Sequence, residues 1–465
     1  MQARHLILGM GKSGQSVARY LTRSGMPFCA ADTRDDAELR ALWQREFPTC
    51  ALQTGDLTAD FLVGVTAIIV SPGIALGHPF LRMARAKGVT IRGDIDLALH
   101  ALRSPYVLIT GANGKSTVTA LVGALIHALG VKVAVGGNFG TPALDLFAEP
   151  ADVWVLEVSS FQLESTEFSD LNPNAATVLN ISQDHLDRHG DLATYAAIKE
   201  TVLPRARVAV INRDDPLVAA MALRAGGQVV SFGRDTPPTA QDFGVLEHQG
   251  AWWLACGARR ILPVAELGIH GQHNYLNALA ALALVMGVLA DVSVSVIDPT
   301  DARIVQVLRS FSGLPHRAQT VGTVGGVRFI DDSKATNVGA AVAAIQGLNT
   351  PLVLIAGGQG KGQDFAPLAD ALKGHCLGLV LMGQDQEILA TEVQRTLPAL
   401  PIRRVHSMTQ AVAQAAELAT QAASGAIVLL APACASLDMF DSYIDRGRQF
   451  AAAVDALTQV SEVGL

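Results

Sequence analysis

The stretch YVLITGANGKST at residues 106–117 decides the fold. Its apolar run Tyr106–Ile109 predicts a buried strand, and Gly111 and Gly114 predict a tight turn directly after it. Backbone N–H groups in such a turn point at phosphate oxygens, because glycine lets the backbone approach them closely. The stretch therefore predicts a site for a nucleotide triphosphate.

The residues after the turn complete this phosphate site. Lys115 adds a positive charge, and Ser116 adds a hydroxyl suited to Mg²⁺. A helix from Thr117 to about Leu129 turns the positive end of its dipole towards the same phosphates. Ile109 stands where a Walker A motif has its first glycine, so this loop is shorter. A glycine turn with a surface lysine is the alternative, but strand, turn and helix all agree with the phosphate site.

Composition bounds the architecture and the class of partner. A chain of 465 residues is too long for a single hydrophobic core, and its length fits about three domains. The 43 glycines and the small number of aromatic residues are typical of α/β proteins. The net charge of −7 offers no basic field for nucleic acid or anionic lipid. Five scattered cysteines without a CxxC pair argue for a reducing compartment and against zinc. We expect no signal peptide, and the apolar stretch Ala278–Ala290 is too short to cross a bilayer, so the expected location is the cytoplasm.

The beginning of the chain predicts a phosphate-binding sheet. The strand His5–Leu8 runs into the turn Gly9–Gly14 with its GxGxxG spacing, and the strand Phe28–Ala31 ends at Asp32, where dinucleotide folds keep a ribose-binding acid. Such a turn holds NAD in some proteins, another phosphate in others, and no ligand in others. The sequence Ser71-Pro72-Gly73 follows a later strand at the ligand-binding edge, although a plain turn explains it equally well.

The middle of the chain carries carboxylates and histidines at strand ends. Glu157 lies near the end of the apolar strand Val153–Val158 and is best explained as a Mg²⁺ ligand opposite Ser116, with a salt-bridged core acid as the alternative. The loop 182–189 contains two histidines and two aspartates, which suit Mg²⁺ or Mn²⁺ better than zinc, unless the loop is only a polar surface. Lys199 lies on a predicted helix, where most lysines keep the amine in solvent.

Two further features precede the last domain. Short alternating runs, such as Gln228–Phe232 and Trp252–Leu254, predict a small antiparallel sheet. Asn274 and Asn277 lie one turn apart on a long apolar helix that runs to about Leu289. Their side chains suit contacts to a nucleotide base, and simple capping of the helix is the alternative.

After a hinge at Gly313, strands and helices alternate again, which predicts a second doubly wound sheet. The predicted strands are Val327–Ile330, Leu352–Ala356, Leu379–Met382, Arg404–His406 and Ile427–Leu430. Polar loops at 331–337, 357–362 and 431–438 follow strand ends and should line one crevice. Their lysine, threonine and serine side chains suit a small dicarboxylate.

Together these patterns predict an α/β protein of three domains. Residues 1–93 form an N-terminal Rossmann-like domain, and residues 94–313 form a central P-loop-type parallel sheet with the small antiparallel sheet. Residues 314–465 form a C-terminal doubly wound, Rossmann-like domain.

The chain resembles the Mur ligases in ordered motifs that run nearly from end to end. They are SPGIA at 71–75, GANGKST at 111–117, GGN at 136–138, LEVSSFQLE at 156–164, DHLDR at 184–188, GQHNYLNALAAL at 271–282, LPHR at 314–317, DSKATN at 332–337, GGQGKG at 357–362 and PACASLD at 432–438. Sister ligases that add other amino acids carry a histidine- or asparagine-bearing loop in place of DSKATN, so the resemblance favours the glutamate-adding member. Ala112 departs from the serine or threonine usual in the family, but a backbone phosphate site does not need that side chain.

This resemblance implies which residues hold each ligand. For the UDP part of a sugar nucleotide in the first domain, it implies Gly11, Lys12, Ser13, Asp32, Thr33, Arg34, Ser71, Pro72 and Gly73. For ATP in the central and last domains, it implies Gly111, Asn113, Gly114, Lys115, Ser116, Thr117, Asn274, Asn277, Arg317, Asp332 and Lys334. For the rest of the substrates, it implies Asn138 at the acyl group, Ser159, Gln162, and for glutamate Thr336, Lys361, Ser436 and Tyr443.

The resemblance also implies a catalytic group of Lys115, Glu157, His185 and Lys199. Two Mg²⁺ ions, with Mn²⁺ as a substitute, would be held by Ser116, Glu157, His185 and an N-carbamylated Lys199. The implied reaction adds D-glutamate to UDP-N-acetylmuramoyl-L-alanine at the expense of ATP, through an acyl phosphate, in cytoplasmic peptidoglycan precursor synthesis. We expect a monomer with no nucleic acid partner and no membrane insertion, and we assign no general base.

Two rival classes are weighed against this interpretation. A folylpolyglutamate synthase would share the central and last domains but lack the turn Gly9–Gly14. An NAD oxidoreductase would use that turn for hydride chemistry. Neither class explains all three predicted domains.

Overall fold

The computed structural model describes residues 4–269, 271–292, 297–348, 350–422 and 425–463. Within them, mixed α/β structure forms sheets of five, nine and six strands. This confirms the predicted fold class. The chain divides into two compact units, the first being Met1–Ile181, Ala193–Leu267 and Leu276–Phe311, and the second Ser182–Leu192, Gly268–Tyr275 and Ser312–Leu465.

The first sheet is parallel, with the strand order β3-β2-β1-β4-β5. Its strands are β1 Arg4–Leu8, β2 Phe28–Asp32, β3 Ala51–Thr54, β4 Val65–Val70 and β5 Thr90–Gly93. The helices along this part of the chain are α1 Lys12–Arg23, α2 Ala37–Glu46, α3 Pro79–Ala86 and α4 Asp94–Ala101. The strand order reverses between β1 and β4, so the turns that follow these two strands lie at the switch point where such sheets bind ligands.

The second sheet has the order β14-β13-β12-β11-β10-β9-β6-β8-β7. Its strands are β6 Tyr106–Thr110, β7 Val133–Gly137, β8 Val153–Glu157, β9 Ala175–Val178, β10 Val208–Asn212, β11 Gln228–Phe232, β12 Phe243–His248, β13 Ala251–Cys256 and β14 Arg259–Pro263. The helices along this part of the chain are α5 Lys115–Ala128, α6 Ser160–Leu163, α7 Leu186–His189, α8 Leu192–Glu200, α9 Pro216–Met221, α10 Gln272–Leu289 and α11 Ala302–Ser310. Because β6 lies between β8 and β9, the loop after β6 meets the carboxyl ends of both neighbours.

The predicted small antiparallel sheet is not separate. β11 pairs in parallel with both β10 and β12, and β13 and β14 then extend the same sheet through antiparallel pairs. The alternation of apolar and polar residues identified the strands correctly. Such alternation shows that one face of a strand is buried, but it does not indicate which sheet the strand joins.

The third sheet has the order β15-β16-β20-β17-β18-β19, and only β15 is antiparallel to its neighbour. Its strands are β15 Gln319–Val324, β16 Val327–Asp331, β17 Leu352–Gly357, β18 Cys376–Met382, β19 Ile402–Arg404 and β20 Ile427–Leu430. The helices are α12 Val338–Gln346, α13 Ala366–Ala371, α14 Gln386–Thr396, α15 Met408–Ala422 and α16 Tyr443–Val463. The strand predicted at Arg404–His406 is displaced, since β19 ends at Arg404.

An apolar core is shared by the two sheets of the first unit. Val17 and Trp43 from the first sheet region and Leu108 and Trp154 from the second belong to one cluster of buried side chains. The third sheet has clusters on both of its faces within the second unit. Among the described residues, no helix combines the length and apolar character needed to cross a membrane.

Candidate active site

The loop 111–114 connects β6 to α5 and has the backbone shape of a phosphate site. Gly111 has a φ of +144° and Gly114 a φ of +83°, conformations that residues with a Cβ rarely adopt. A Cβ on Gly114 would also lie 2.5 Å from Asn277 Oδ1. Because α5 begins at Lys115, the positive end of its dipole faces the loop.

Asn180 holds this loop, although sequence reasoning did not select it. The Asn113 N–H donates to Asn180 Oδ1 at 2.8 Å, and Asn180 Nδ2 donates back to Asn113 O at 3.0 Å. The Ala112 N–H donates to Asn180 O at 2.9 Å. The available signal was position alone, because Asn180 follows β9, the strand beside β6.

The Lys115 ammonium group lies over the same loop. Its Nζ donates to Gly111 O at 2.7 Å and to Ala112 O at 2.8 Å. Ser116 and Thr117 follow it as buried residues in the first turn of α5. The positive charge is therefore held where the backbone is shaped for phosphate.

Glu157 ends β8 beside β6 and is almost fully buried. Its Oε1 accepts a hydrogen bond from Asn138 Nδ2 at 2.7 Å, whereas its Oε2 is buried with no hydrogen-bond partner. Gly137 permits this arrangement, because a Cβ there would lie 2.3 Å from Glu157 O. Burying an unpaired carboxylate oxygen is costly, so a cation is the ligand that this atom fits.

The orphaned Glu157 oxygen suits a Mg²⁺ ion that binds together with a phosphate-bearing substrate. Among the described residues, no group of three or more His, Cys, Asp or Glu side chains is arranged to hold a metal ion. Mg²⁺ is commonly bound through one or two carboxylates together with substrate phosphates and water, which needs no such cage. The orphaned Glu157 oxygen beside the phosphate loop matches that mode of binding.

Lys199 is buried on α8, unlike most helical lysines, which keep the amine in solvent. Its Nζ donates to Thr110 Oγ1 at 3.3 Å and lies 4.6 Å from the centre of the Tyr195 ring. Thr110 is the last residue of β6, directly before the phosphate loop. The amine is therefore positioned beside the loop.

His185 belongs to the second unit, in the loop 182–192. It has a φ of +54°, and its Nε2 lies 3.6 Å from Asp184 Oδ2. Asp184 also lies 3.6 Å from Lys361 Nζ and accepts a hydrogen bond from Asn337 Nδ2 at 3.1 Å. Asp184 thus joins a predicted metal ligand to a predicted glutamate-binding lysine, a role that the sequence did not reveal.

Arg317 and Asp332, both predicted to contact ATP, come together in the second unit. The neighbours of Arg317, His316 and Ala318, have φ values of +62° and +48°, which strain this segment. The Ala318 N–H donates to Asp332 Oδ1 at 3.3 Å. Burial raises the pKa of Asp332 to about 7, although the charge of Arg317 opposes that rise. Asn274 lies in this unit as well.

The predicted glutamate-binding residues lie in loops after three strands of the third sheet. Lys361 has a φ of +53°, and Ser436 is buried. The Thr336 N–H donates to Lys334 O at 2.7 Å. Lys334 Nζ lies 4.2 Å from the centre of the Tyr443 ring, so this tyrosine faces a predicted phosphate-binding lysine.

Arg446 links two of these loops and was missed from the sequence. It is fully buried on α16, where its Nε donates to Ser333 Oγ at 3.0 Å and its Nη2 to Ser333 O at 2.8 Å. Its Nη1 donates to Cys434 O at 3.1 Å. Burial lowers the pKa of Arg446 to about 10. No sequence signal separates this residue from the exposed Arg448 on the same helix.

In the first sheet, the carboxylate of Asp32 contacts the glycine turn that follows β1. Asp32 Oδ2 accepts from the Met10 N–H at 2.7 Å, and Oδ1 accepts from Arg34 Nε at 2.9 Å. Burial works to raise the pKa of Asp32, but hydrogen bonds from Arg34 and Met10 outweigh it and leave that pKa low. Ser71 Oγ donates to Gly9 O at 3.0 Å, which ties the two turns at the switch point together.

The other residues predicted in this sheet surround that point. Gly11, Lys12 and Ser13 lie at the start of α1, Thr33 and Arg34 lie in the bend after β2, and Pro72 and Gly73 lie in the turn after β4. Ser159 and Gln162 form a capping box on α6, close in sequence to Glu157, with Gln162 Oε1 accepting from the Ser159 N–H at 3.1 Å.

Three family models match this chain in order. They are the Mur ligase MurD-like N-terminal domain at residues 3–93, the Mur ligase middle domain at 109–285, and the Mur ligase glutamate ligase domain at 316–434. The curated UDP-N-acetylmuramoylalanine–D-glutamate ligase of Pseudomonas aeruginosa is 46% identical over 97% of this chain and 98% of its own length. The protein of the same name from Methylobacillus flagellatus is 45% identical over 97% of this chain and 96% of its own length.

Solved structures share the fold at lower identity. UDP-N-acetylmuramate-alanine ligase MurC of Thermotoga maritima matches with a TM-score of 0.60 and 19% identity over 97% of this chain and 99% of its own. Folylpolyglutamate synthase of Mycobacterium tuberculosis matches with a TM-score of 0.56 and 20% identity over 76% of this chain and 90% of its own.

Proposed function

The chain belongs to the Mur ligase family and is a ligase, and we propose that it adds D-glutamate to UDP-N-acetylmuramoyl-L-alanine at the expense of ATP, which is converted to ADP and phosphate. The observation that carries this proposal is the similarity, over nearly the whole chain, to ligases named for that reaction. The geometry of the phosphate loop supports the use of ATP. The product is a precursor of peptidoglycan.

In the first step, an oxygen of the alanyl carboxylate attacks the γ-phosphorus of ATP, the bond to the β-phosphate oxygen breaks, and ADP leaves. The loop 111–114 and the N-terminus of α5 bind the phosphates, and Lys115 compensates charge on the transferring phosphoryl group. Without compensation, two anions at about 4 Å repel each other by roughly 4 kcal/mol at an effective dielectric constant near 20. The cationic loop lowers that barrier.

Glu157 and Ser116 would hold one Mg²⁺, and His185 with a carbamylated Lys199 would hold a second. When bound, these ions supply charge neutralisation and alignment of the phosphate oxygens. Two observations support the modification: Lys199 is buried, and its Nζ lies 3.3 Å from Thr110 Oγ1, directly before the phosphate loop. Mn²⁺ is the expected substitute.

In the second step, the free amine of D-glutamate attacks the acyl carbonyl carbon. The carbon–oxygen bond to phosphate breaks, phosphate leaves, and the nitrogen gives up a proton. Thr336, Lys361, Ser436 and Tyr443 hold the glutamate, with Lys361 supplying a cation for one of its carboxylates. Asn274, Asn277 and Arg317 contact the adenine end of ATP, Asp332 its ribose and Lys334 its phosphates. The turn after β1 holds the UDP.

The sugar nucleotide binds to residues 1–93, ATP binds to residues 94–313, and the amino acid binds to residues 314–465. The protein acts as a monomer in the cytoplasm. A folylpolyglutamate synthase and an NAD oxidoreductase are both disfavoured, because residues 3–93 match a MurD-like N-terminal domain and the relatives that match nearly the whole chain are named as D-glutamate ligases.

Product analysis tests the function directly. Purified protein with ATP and Mg²⁺ should form ADP over many turnovers only when both UDP-N-acetylmuramoyl-L-alanine and D-glutamate are present, with one peptide product formed for each ADP. Replacement of D-glutamate by L-glutamate, and of the sugar nucleotide by a folate, are the controls. Continuous ADP turnover without an amino acid acceptor, or equal turnover with a folate, would contradict the proposal.

A further inference from the structure

One buried glutamine links the three loops that are proposed to bind glutamate. The glutamate loops are the segments that follow β16, β17 and β20, namely residues 331–337, 357–362 and 431–438. Gln363 comes directly after the second of these loops and is 8% exposed. The family models and the names of the relatives assign no role to this residue.

The side-chain amide of Gln363 makes a hydrogen bond at each of the glutamate loops. Its Oε1 accepts from the N–H of Val338, the residue directly after the first loop, at 2.8 Å. Its Nε2 donates to Gly360 O in the second loop at 2.8 Å and to Ala433 O in the third at 3.5 Å. Because a backbone N–H only donates and a carbonyl oxygen only accepts, these partners fix the orientation of the amide.

Gly360 is held at both of its backbone polar atoms. Its N–H donates to Asp385 Oδ2 at 2.6 Å, and its carbonyl oxygen is the acceptor for Gln363. Lys361 comes next and has a φ of +53°, a conformation that residues other than glycine rarely adopt. Because such a backbone persists only where its surroundings hold it, the bonds to Gly360 help to fix the direction in which the Lys361 side chain leaves the loop.

The partners of Gln363 in the other two glutamate loops also lie close to proposed glutamate ligands. Val338 is in the first turn of α12, where a backbone N–H has no acceptor within the helix, and Thr336 lies two residues before it. Ala433 has a φ of +59°, and its N–H donates to Ala335 O at 2.9 Å, which joins the third loop to the first. Ser436 lies three residues after Ala433.

We propose that Gln363 is a positioning residue for D-glutamate, acting through the backbone segments that carry Thr336, Lys361 and Ser436. This inference rests on the proposed function. Gln363 is buried, so no water replaces its amide when the amide is removed, and the Val338 N–H and Gly360 O then lose this partner. The glutamate loops are then no longer held at fixed distances from one another.

The experiment measures ADP formation at varied D-glutamate with ATP and UDP-N-acetylmuramoyl-L-alanine saturating. Gln363→Met keeps the length of the side chain and removes its hydrogen bonds. It should raise the KM of D-glutamate by about tenfold and change kcat by less than about threefold, because binding is weakened and the chemical groups remain. The KM of the sugar nucleotide should stay unchanged, since that ligand is proposed to bind residues 1–93.

A second variant and a control separate positioning from stability. Gln363→Asn is one methylene shorter and cannot reach Val338 and Gly360 at once, so it should also raise the KM of D-glutamate. Val412→Ala is the control, because Val412 is buried on α15 in the cluster on the opposite face of the third sheet from Ala433. Its truncation should lower the melting temperature through the core and leave that KM unchanged.

Three outcomes would overturn the inference and make Gln363 a structural residue only. They are an unchanged KM of D-glutamate in both Gln363 variants, a rise of the same size in Val412→Ala, and an equal rise in the KM of the sugar nucleotide. Each of them leaves the proposed function intact, because the wild type still turns over. A wild type that forms no ADP when both substrates are present overturns the proposed function and the inference together.

Discussion

Asp184 accepts a hydrogen bond from the side chain of Asn337 at 3.1 Å, across 153 residues of sequence. The same carboxylate lies 3.6 Å from Lys361 Nζ, while Asn337 Oδ1 caps α12 by accepting from the Ala340 N–H at 2.8 Å. One buried acid therefore connects the loop of His185 to two loops that are proposed to serve the amino acid.

Asp184→Ala should raise the KM of D-glutamate by about tenfold, because Lys361 and Asn337 lose a charged partner that fixes them. Initial rates at varied D-glutamate and saturating ATP measure this effect. Asp187→Ala is the matched control, since Asp187 lies in the same loop and is exposed. Equal effects of the two substitutions would contradict a specific role of Asp184.

Lys115→Met should reduce turnover by about a hundredfold or more, because the uncharged side chain no longer compensates the phosphoryl group. ADP release under saturating substrates gives the rate. Lys373→Met, at an exposed lysine paired with Asp370, should leave the rate unchanged. Retention of turnover in Lys115→Met would remove the loop from the mechanism.

Glu157→Gln should raise the Mg²⁺ concentration for half-maximal activity by about tenfold, because a neutral amide is a weaker ligand than the orphaned carboxylate oxygen. The shape of Gln preserves the acceptor for Asn138, so the melting temperature should change little. Magnesium titrations of the wild type, of Glu157→Gln and of the exposed control Glu149→Gln compare the sites. An unaltered magnesium requirement would show that Glu157 is a core acid.

Asp332 should make stability depend on pH. Its pKa is raised to about 7 in the folded protein, so the folded state holds a proton that the unfolded chain releases at lower pH. The contribution of this group is full below the unfolded pKa near 4 and is lost as the pH rises towards 7. Urea unfolding from pH 4 to 8 should show this decline, and Asp332→Asn should remove that part of it.

Arg446→Met should lower the free energy of unfolding by about 2–4 kcal/mol, because it leaves the carbonyl oxygens of Ser333 and Cys434 buried without their donor. Denaturant unfolding with Arg448→Met as the exposed control measures the difference. A loss confined to glutamate affinity, with unchanged stability, would instead assign Arg446 to binding alone.

Local sequence patterns predicted β6, the phosphate loop and α5 well, because the residues that determine these elements are adjacent in the sequence. The strand predicted at 106–109 was found at Tyr106–Thr110, and the helix predicted from Thr117 begins two residues earlier, at Lys115. Family motifs then supplied candidate roles for residues such as Glu157. The predicted strand β11 was found at its predicted bounds, but its parallel partner was not foreseen, because pairing depends on distant segments.

Residues that brace the site stayed hidden for the same reason. Asn180 contacts Asn113 across 67 residues, and Gln162 contacts Asp94 across 68. Arg446 reaches Ser333 across 113. Asn180, Asp94 and Arg446 lie outside the quoted motifs, and only the fold brings them to their partners. Burial of Lys199 was hidden too, since helical position alone favours an amine in solvent.

The apolar cluster that joins Trp43 and Leu108 has a consequence for how the protein melts. Cutting the chain after Gly93 would expose that cluster on both pieces, so neither fragment should be soluble by itself. In a calorimeter, residues of the first two sheets should lose their structure in one cooperative transition, and a ligand bound to either sheet should therefore delay the melting of both.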